Sequence, residues 1–241
     1  MLMRVNDCNW MMLEEYLQHD DRIVLPIGST EQHGYLSVGT DAILAERVSV
    51  EAAEPLGIPV LPVLAFGVTP YFAAFPGSPS LKLETYLAVI SDLLDSLTGQ
   101  GFRRIAIVNG HGGNSPAAGV VRQWLSRQPT SGAPEVLFHD WWNAPRTWSV
   151  VQSFETECSH GSWMENFPWT RISGVQLPVD PKPLVPMVEL KRASAGRLRE
   201  LTPDGSFGGS YQRRDSDVLA VWDAGVAEVR ELLEKGWSDR G

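Results

Sequence analysis

The chain has 241 residues, 43% hydrophobic and 20% charged; that is enough length and apolar content for a domain to bury a full core, which excludes disorder and fibre. Twenty Lys and Arg stand against 29 Asp and Glu, a formal charge of -9. Such a field repels polyanions and argues against nucleic acid or an anionic membrane as general partners, while an acidic site suits cations.

Cys8 and Cys158 are the two cysteines, too few for a disulfide framework, and the expected compartment is a reducing cytoplasm. There is no apolar run of about 18 residues. Arg4, Asp7 and Asn9 occupy the first ten positions, where a signal peptide needs an apolar stretch. The expectation is one domain over 1–241, unexported and clear of the membrane.

Short β-rich runs alternate with helical patterns, the mark of β-α units on a parallel sheet. Residues 22–27 (RIVLPI) predict a strand, 41–54 a helix, and 58–65 (IPVLPVLA) a second strand that Pro59 and Pro62 place at an edge or bulge. The stripe Leu83, Tyr86, Leu87, Ile90, Leu93, Leu94 and Leu97 predicts a packing helix stopped at Gly101. Residues 104–108 (RIAIV) form the clearest buried parallel strand, 114–126 the helix after it, and 135–138 (EVLF) a fourth strand. A less regular segment follows, holding five of the nine tryptophans: Trp141, Trp142, Trp148, Trp163 and Trp169. Residues 180–186 read as a proline-bearing connection and 219–233 as a final amphipathic helix.

Reactive groups in open parallel sheets gather in the loops leaving the strand ends. Three of the five histidines sit in such segments, each before a glycine: His33-Gly34, His111-Gly112 and His160-Gly161. Glycine there permits a sharp or left-handed turn that aims the imidazole into a cavity. Glu31 shares a face with His33 if the loop is extended, and Asp41 follows eight residues later at a helix start. Imidazole and carboxylate donors without thiolate suit Zn, Mn or Fe, with Asp41 able to bridge two ions. Two divalent ions about 3.5–4 Å apart activate water and polarise a carbonyl, so the chemistry expected is hydrolysis. Alternatives stand beside this: a phosphate seat in the Gly-rich turn at residues 109–114, a helix cap at Asp41 or Thr40, and a helix-dipole partner at Glu165.

Leu25 to Gly34 (LPIGSTEQHG) with Gly39-Thr40-Asp41, Phe75-Pro76-Gly77-Ser78, Asn109 to Asn114 (NGHGGN) and His160 to Glu165 (HGSWME) resemble the creatininase (creatinine amidohydrolase) family. The resemblance implies a three-layer α/β/α sandwich on a mainly parallel sheet, assembly as a hexamer or other homo-oligomer, and a two-metal hydrolytic centre. It implies Glu31, His33, Asp41, His111 and Glu165 as ligands, with His160 and Glu165 in catalytic positions and His160 passing the proton to the leaving group. Gly112-Gly113 stands where creatininase proper carries Tyr-Glu, so the second metal is expected to be held differently and the substrate to be other than creatinine. Candidate substrate contacts are Trp141, Trp142, Trp163, Gly112 and Gly113, the tryptophans forming an aromatic wall or, alternatively, core or subunit contacts. Arg146 and Arg171 are read either as carboxylate readers or as surface pairs. The implied reaction is cleavage of a C–N bond in a cyclic amide or formamide, with C–C opening of a cyclic ketone and metal binding without turnover as rivals.

Overall fold

The computed structural model describes residues 4–238. The outer three positions at each end of the expected domain, including residues 1–3 of the leader argument, lie outside the described residues. Strands β1 (Arg22–Ile27), β2 (Arg104–Asn109) and β3 (Glu135–Asp140) form a parallel sheet in the order β1-β2-β3. Register pairs Arg22 with Arg104 and Arg104 with Glu135, so all three strands point their carboxyl ends at one edge. The expected strand at 58–65 makes only single parallel bridges, Val24 to Val60 and Ile27 to Leu64. Pro59 and Pro62 lack the N–H a continuous ladder needs, so the segment follows β1 without becoming a full strand.

Helices α1 (Trp10–Tyr16), α2 (Thr40–Ala53), α3 (Leu83–Gly99), α4 (Ala117–Leu125), α5 (Pro145–Phe154), α6 (Met187–Leu190), α7 (Ala195–Leu201) and α8 (Asp215–Lys235) complete the described architecture. The helix expected from 114 begins at Ala117, because Gly112–Asn114 form a 3-10 turn first. The final helix starts four residues earlier than expected, at Asp215, where acidic residues favour a helix N-terminus.

Alternation along the strands builds two cores. Ile23, Leu25, Ile27, Ile105 and Ile107 face α3 and α4 through Tyr86, Ile90, Leu94, Val121 and Trp124. Val24, Ala106 and Val108 face α2 and α8 through Leu44, Val48, Val218, Val221, Trp222 and Val229. The result is an α/β/α sandwich. Both faces of β2 are covered, which is why its sequence carries no polar alternation. Truncating its fully buried Ile107 is expected to cost about 2–5 kcal/mol, read as a lower urea midpoint for Ile107→Ala at unchanged m-value.

Candidate metal centre

The loops leaving β1 and β2 and the start of α2 meet at the carboxyl edge of the sheet. Asparagines hold them there. Asn109 donates from Nδ2 to the His111 carbonyl at 2.8 Å and to Asp140 at 2.7 Å, and its Oδ1 accepts from the His111 amide at 3.1 Å. Asn114 donates to the Gly28 carbonyl at 3.0 Å and accepts from the Val68 amide at 3.2 Å. The NGHGGN turn therefore braces three loops, with its two asparagines bonded mainly to backbone groups. The second motif serves the same end: Ser78 Oγ accepts from the Gln32 amide at 2.9 Å.

Glu31, His33, Asp41 and His111 are all buried. His33 Nε2 lies 2.9 Å from Asp41 Oδ1 and 3.9 Å from Glu165 Oε1, while His111 Nδ1 lies 2.9 Å from Asp41 Oδ2 and 3.4 Å from Glu31 Oε1. His160 Nδ1 is 3.7 Å from Glu31 Oε1. Three overlapping groups have ligand atoms within 4.8 Å of one another: Glu31-His33-His160, Glu31-Asp41-His111 and His33-Asp41-Glu165. All six residues singled out in the sequence for metal binding or catalysis thus come together.

Each imidazole is oriented from behind by a backbone carbonyl. His33 Nδ1 lies 3.1 Å from the Glu31 carbonyl, His111 Nε2 3.1 Å from that of Val68, and His160 Nε2 2.7 Å from that of Gln32. A carbonyl only accepts, so those nitrogens are assigned the proton. In the neutral ring the opposite nitrogens, His33 Nε2, His111 Nδ1 and His160 Nδ1, then present lone pairs to the carboxylates, as metal-ligating histidines do. Glu31 Oε2 and His33 Nε2 are buried without any hydrogen-bond partner. His33 Nε2 is close to Asp41 but not aligned to bond it. Buried polar atoms left in this state are costly unless something is missing between them, and a divalent cation fits the donor set.

The electrostatics agree. Burial opposes charge on His33, but the carboxylates of Asp41, Glu165 and Glu31 outweigh it and push the pKa up to about 10. His111 is likewise raised against its burial by Glu31 and Asp41. Asp41 is driven far below the carboxylate range, since the two imidazoles overcome its desolvation. Burial lifts Glu165 to about 7, with His33 opposing and Asp41 reinforcing. His160 is lowered to about 4, by burial first and then by the neighbouring His33. The carboxylates thus favour positive charge at the first two imidazoles.

Asp41 is not a helix cap: Gly39 holds that position, and the Asp41 side chain instead accepts from Ser29 Oγ at 2.9 Å and meets both imidazoles. Glu165 accepts from the Gly161 amide at 2.7 Å. The glycines after the histidines differ. Gly34 and Gly161 have φ of 60° and 69°, which the turns require, whereas Gly112 lies outside the left-handed region.

A cavity of about 660 Å³ opens over the cluster, a size usual for small-ligand sites. Trp141, Trp142, Trp148 and Gly112 line it; Tyr71, Phe72 and Phe207 line it too and were not singled out in the sequence. Phe72 stacks on His160 at 4.7 Å. Two substrate-contact candidates need correction. Trp163 is fully buried beneath the site, edge-on to Phe154, and does not reach the cavity. Gly113 has no free space: a Cβ there would sit 2.0 Å from the Val68 carbonyl oxygen and 2.5 Å from His111 Nε2. Arg146 pairs with Glu231, and Arg171 with Asp215 at 2.7 Å and Asn166, so both are surface pairs.

Residues 6–233 match the family model for creatininase, creatinine amidohydrolase, and the chain belongs to that family. A creatinine amidohydrolase of Pseudomonas putida is 31% identical over 118 residues, 46% of this chain and 45% of that protein. A 3-dehydro-scyllo-inosose hydrolase of Thermotoga maritima is 31% identical over 102 residues, 42% of this chain and 33% of that one. A mycofactocin precursor peptide peptidase of Mycolicibacterium smegmatis is 36% identical over 105 residues, 39% of this chain and 41% of that one. These matches span a third to just under half of the relatives' length. Among solved structures, a manganese creatininase superposes with TM-score 0.81 at 20% identity, covering 99% of this chain and 100% of that one. A Zn-Zn form of a creatininase mutant does so with the same score, identity and coverage.

Gly113→Ala is expected to lose about 1–3 kcal/mol by overpacking, seen as a lower melting temperature. Gly112→Ala, with nothing within 4 Å of its Cβ, should melt close to the parent.

Proposed function

We propose that this protein is a metal-dependent hydrolase that breaks the C–N bond of an amide. The observation that carries the reading is the set of three imidazoles, each anchored by a backbone carbonyl, aimed at buried carboxylates with Glu31 Oε2 and His33 Nε2 left unbonded. Asp41 stands between two donor groups, with Oδ1 toward His33 and Oδ2 toward His111. A pair of ions is therefore the reading adopted, one held by His33, Asp41 and Glu165 and the other by Glu31, Asp41 and His111. Zinc or manganese is the metal favoured, by analogy with the Zn-Zn and Mn creatininases. When bound, such ions acidify water and polarise a carbonyl.

Hydrolysis consumes one water: its oxygen bonds to the carbonyl carbon, the C–N bond breaks, and the departing nitrogen gains a proton. His160 is placed to carry that proton. Its Nε2–H is committed to the Gln32 carbonyl at 2.7 Å, which leaves the Nδ1 lone pair on the cluster side to accept a proton and return it. Phe72 and Phe207 against its ring, at 4.7 and 4.9 Å, exclude water and fix its plane. The relatives' names include an amidohydrolase and a peptide peptidase, both amide-cleaving activities. The amide taken here is a cyclic amide or formamide, with Trp142 and Trp148 against its flat face. The inosose hydrolase among the relatives favours a second reading, C–C opening of a cyclic ketone in the same aromatic cavity. Assembly as a homo-oligomer, hexameric by family resemblance, belongs to this proposal; exposed Trp10, Met11 and Val188 provide apolar surface for it.

Protein purified without chelator should carry two equivalents of Zn or Mn by elemental analysis, with Asp41→Asn losing both and Glu165→Gln losing one. Dipicolinate should abolish hydrolysis across a panel of lactams, formamides and cyclic ketones, and added metal should restore it. A metal-free wild type that still hydrolyses the panel would sink the reading. His160→Asn should keep the metal yet lower kcat by about 10²–10⁴-fold.

A further inference from the structure

The cavity over the cluster combines a charged floor with largely apolar walls. At its floor are Glu31, Asp41, Glu165, His111 and His160; its walls are mainly tryptophan, phenylalanine, methionine and leucine side chains. Apart from that floor cluster, one charged side chain lines it, Lys191. Lys191 follows α6 and is exposed, whereas its neighbours Leu190 and Ala193 pack against the Phe72, Phe75 and Leu198 cluster. The backbone that carries it is thus anchored on the same aromatic group that backs His160.

Among the described residues no hydrogen bond or ion pair engages the Lys191 ammonium. The acidic residue nearest in sequence, Glu189, lies in α6 two positions before Lys191, a spacing at which helical side chains do not face each other. The family resemblance assigns no role to this position. An ammonium in that place offers a distal anchor: the floor handles the scissile carbonyl, the aromatic walls cover an apolar body, and the positive charge meets an anion farther out.

We propose that the substrate carries a carboxylate on an aromatic or otherwise apolar body, and that Lys191 is the specificity residue that selects it. The proposal rests on the hydrolase reading only in taking the bound molecule to be the substrate. It also explains how an anionic compound enters a protein of charge -9, since a lysine at the rim offsets the repulsion locally.

The test compares N-acetylphenylalanine with its neutral counterpart, N-acetylphenylalaninamide, on the metal-loaded protein, following quenching of tryptophan fluorescence. Wild type should bind the carboxylate about fivefold tighter than the amide, the size expected of an ion pair at a solvent-facing rim, and the preference should shrink with added salt. Lys191→Met should remove the preference while binding the neutral amide as before, and Lys191→Arg should retain it. Equal binding of the two probes by wild type overturns the proposal, as does a preference undiminished in Lys191→Met, which would place the anion on the cluster instead. Hydrolysis is scored separately on the same probes and on the lactam and formamide panel. Failure there with the binding pattern intact removes the hydrolase reading and leaves the carboxylate site standing.

Discussion

Three carboxylates converge at the floor of the cavity, two of them almost closed to water, and the rest of the site follows from what that requires. Glu31 and Asp41 are 2% and 4% exposed, and Glu165 points at the same imidazoles. Gathering such charges in low dielectric is unfavourable by several kcal/mol per ion unless positive charge sits among them. Ser29 and the Gly161 amide offset part of that cost by hydrogen-bonding Asp41 and Glu165, while backbone carbonyls turn the histidine lone pairs inward, an arrangement that a cation between them would satisfy. The sheet supplies the framework, because parallel strands in this register end together and deliver their loops to one edge.

Much of the fold is legible in the sequence where burial alone decides. RIVLPI and RIAIV become strands with the limits expected of them to within a residue, and the Leu83–Leu97 stripe becomes α3. Legibility fails where local rules compete. Trp10–Tyr16 has no wide apolar stripe and forms α1 under an Asn9 cap, whose side chain accepts from Met12 at 3.0 Å. Pro145–Phe154 hides a helix inside a stretch whose tryptophans suggest irregularity; proline at its first turn is the signal that would have found it.

The donor residues are legible because chemistry restricts them to a few residue types in strand-end loops. Their supports are harder to see. Gln32 accepts from the Gly34 amide at 3.0 Å and donates to the Gly205 carbonyl at 3.0 Å, tying the first loop to a segment more than 170 residues away. Nothing local marks such a partner. The tryptophans divide for the same reason: Trp142 and Trp163 have identical side chains, yet one lines the cavity and the other lies at 0% exposure beside Phe154. Only the path of the chain between them decides this.

The Gly112-Gly113 pair links the donor cluster to the wall of the cavity. A side chain at Gly113 would collide with the Val68 carbonyl that orients His111, so a glutamate at that position is incompatible with this placement of Val68. Tyr71 and Phe72 come three and four residues after Val68, and both line the cavity. With no side chain at 113 the 68–72 segment packs against the turn, with Tyr71 Oη 3.4 Å from His111 Nε2 and the Phe72 ring on His160. Glu165, arriving from another loop with its Oε1 3.9 Å from His33, supplies a carboxylate to the same cluster. Donor cluster and cavity wall are thus coupled: the glycine at 113 leaves room for the Val68 carbonyl that orients His111 and for the rings just after it that line the pocket.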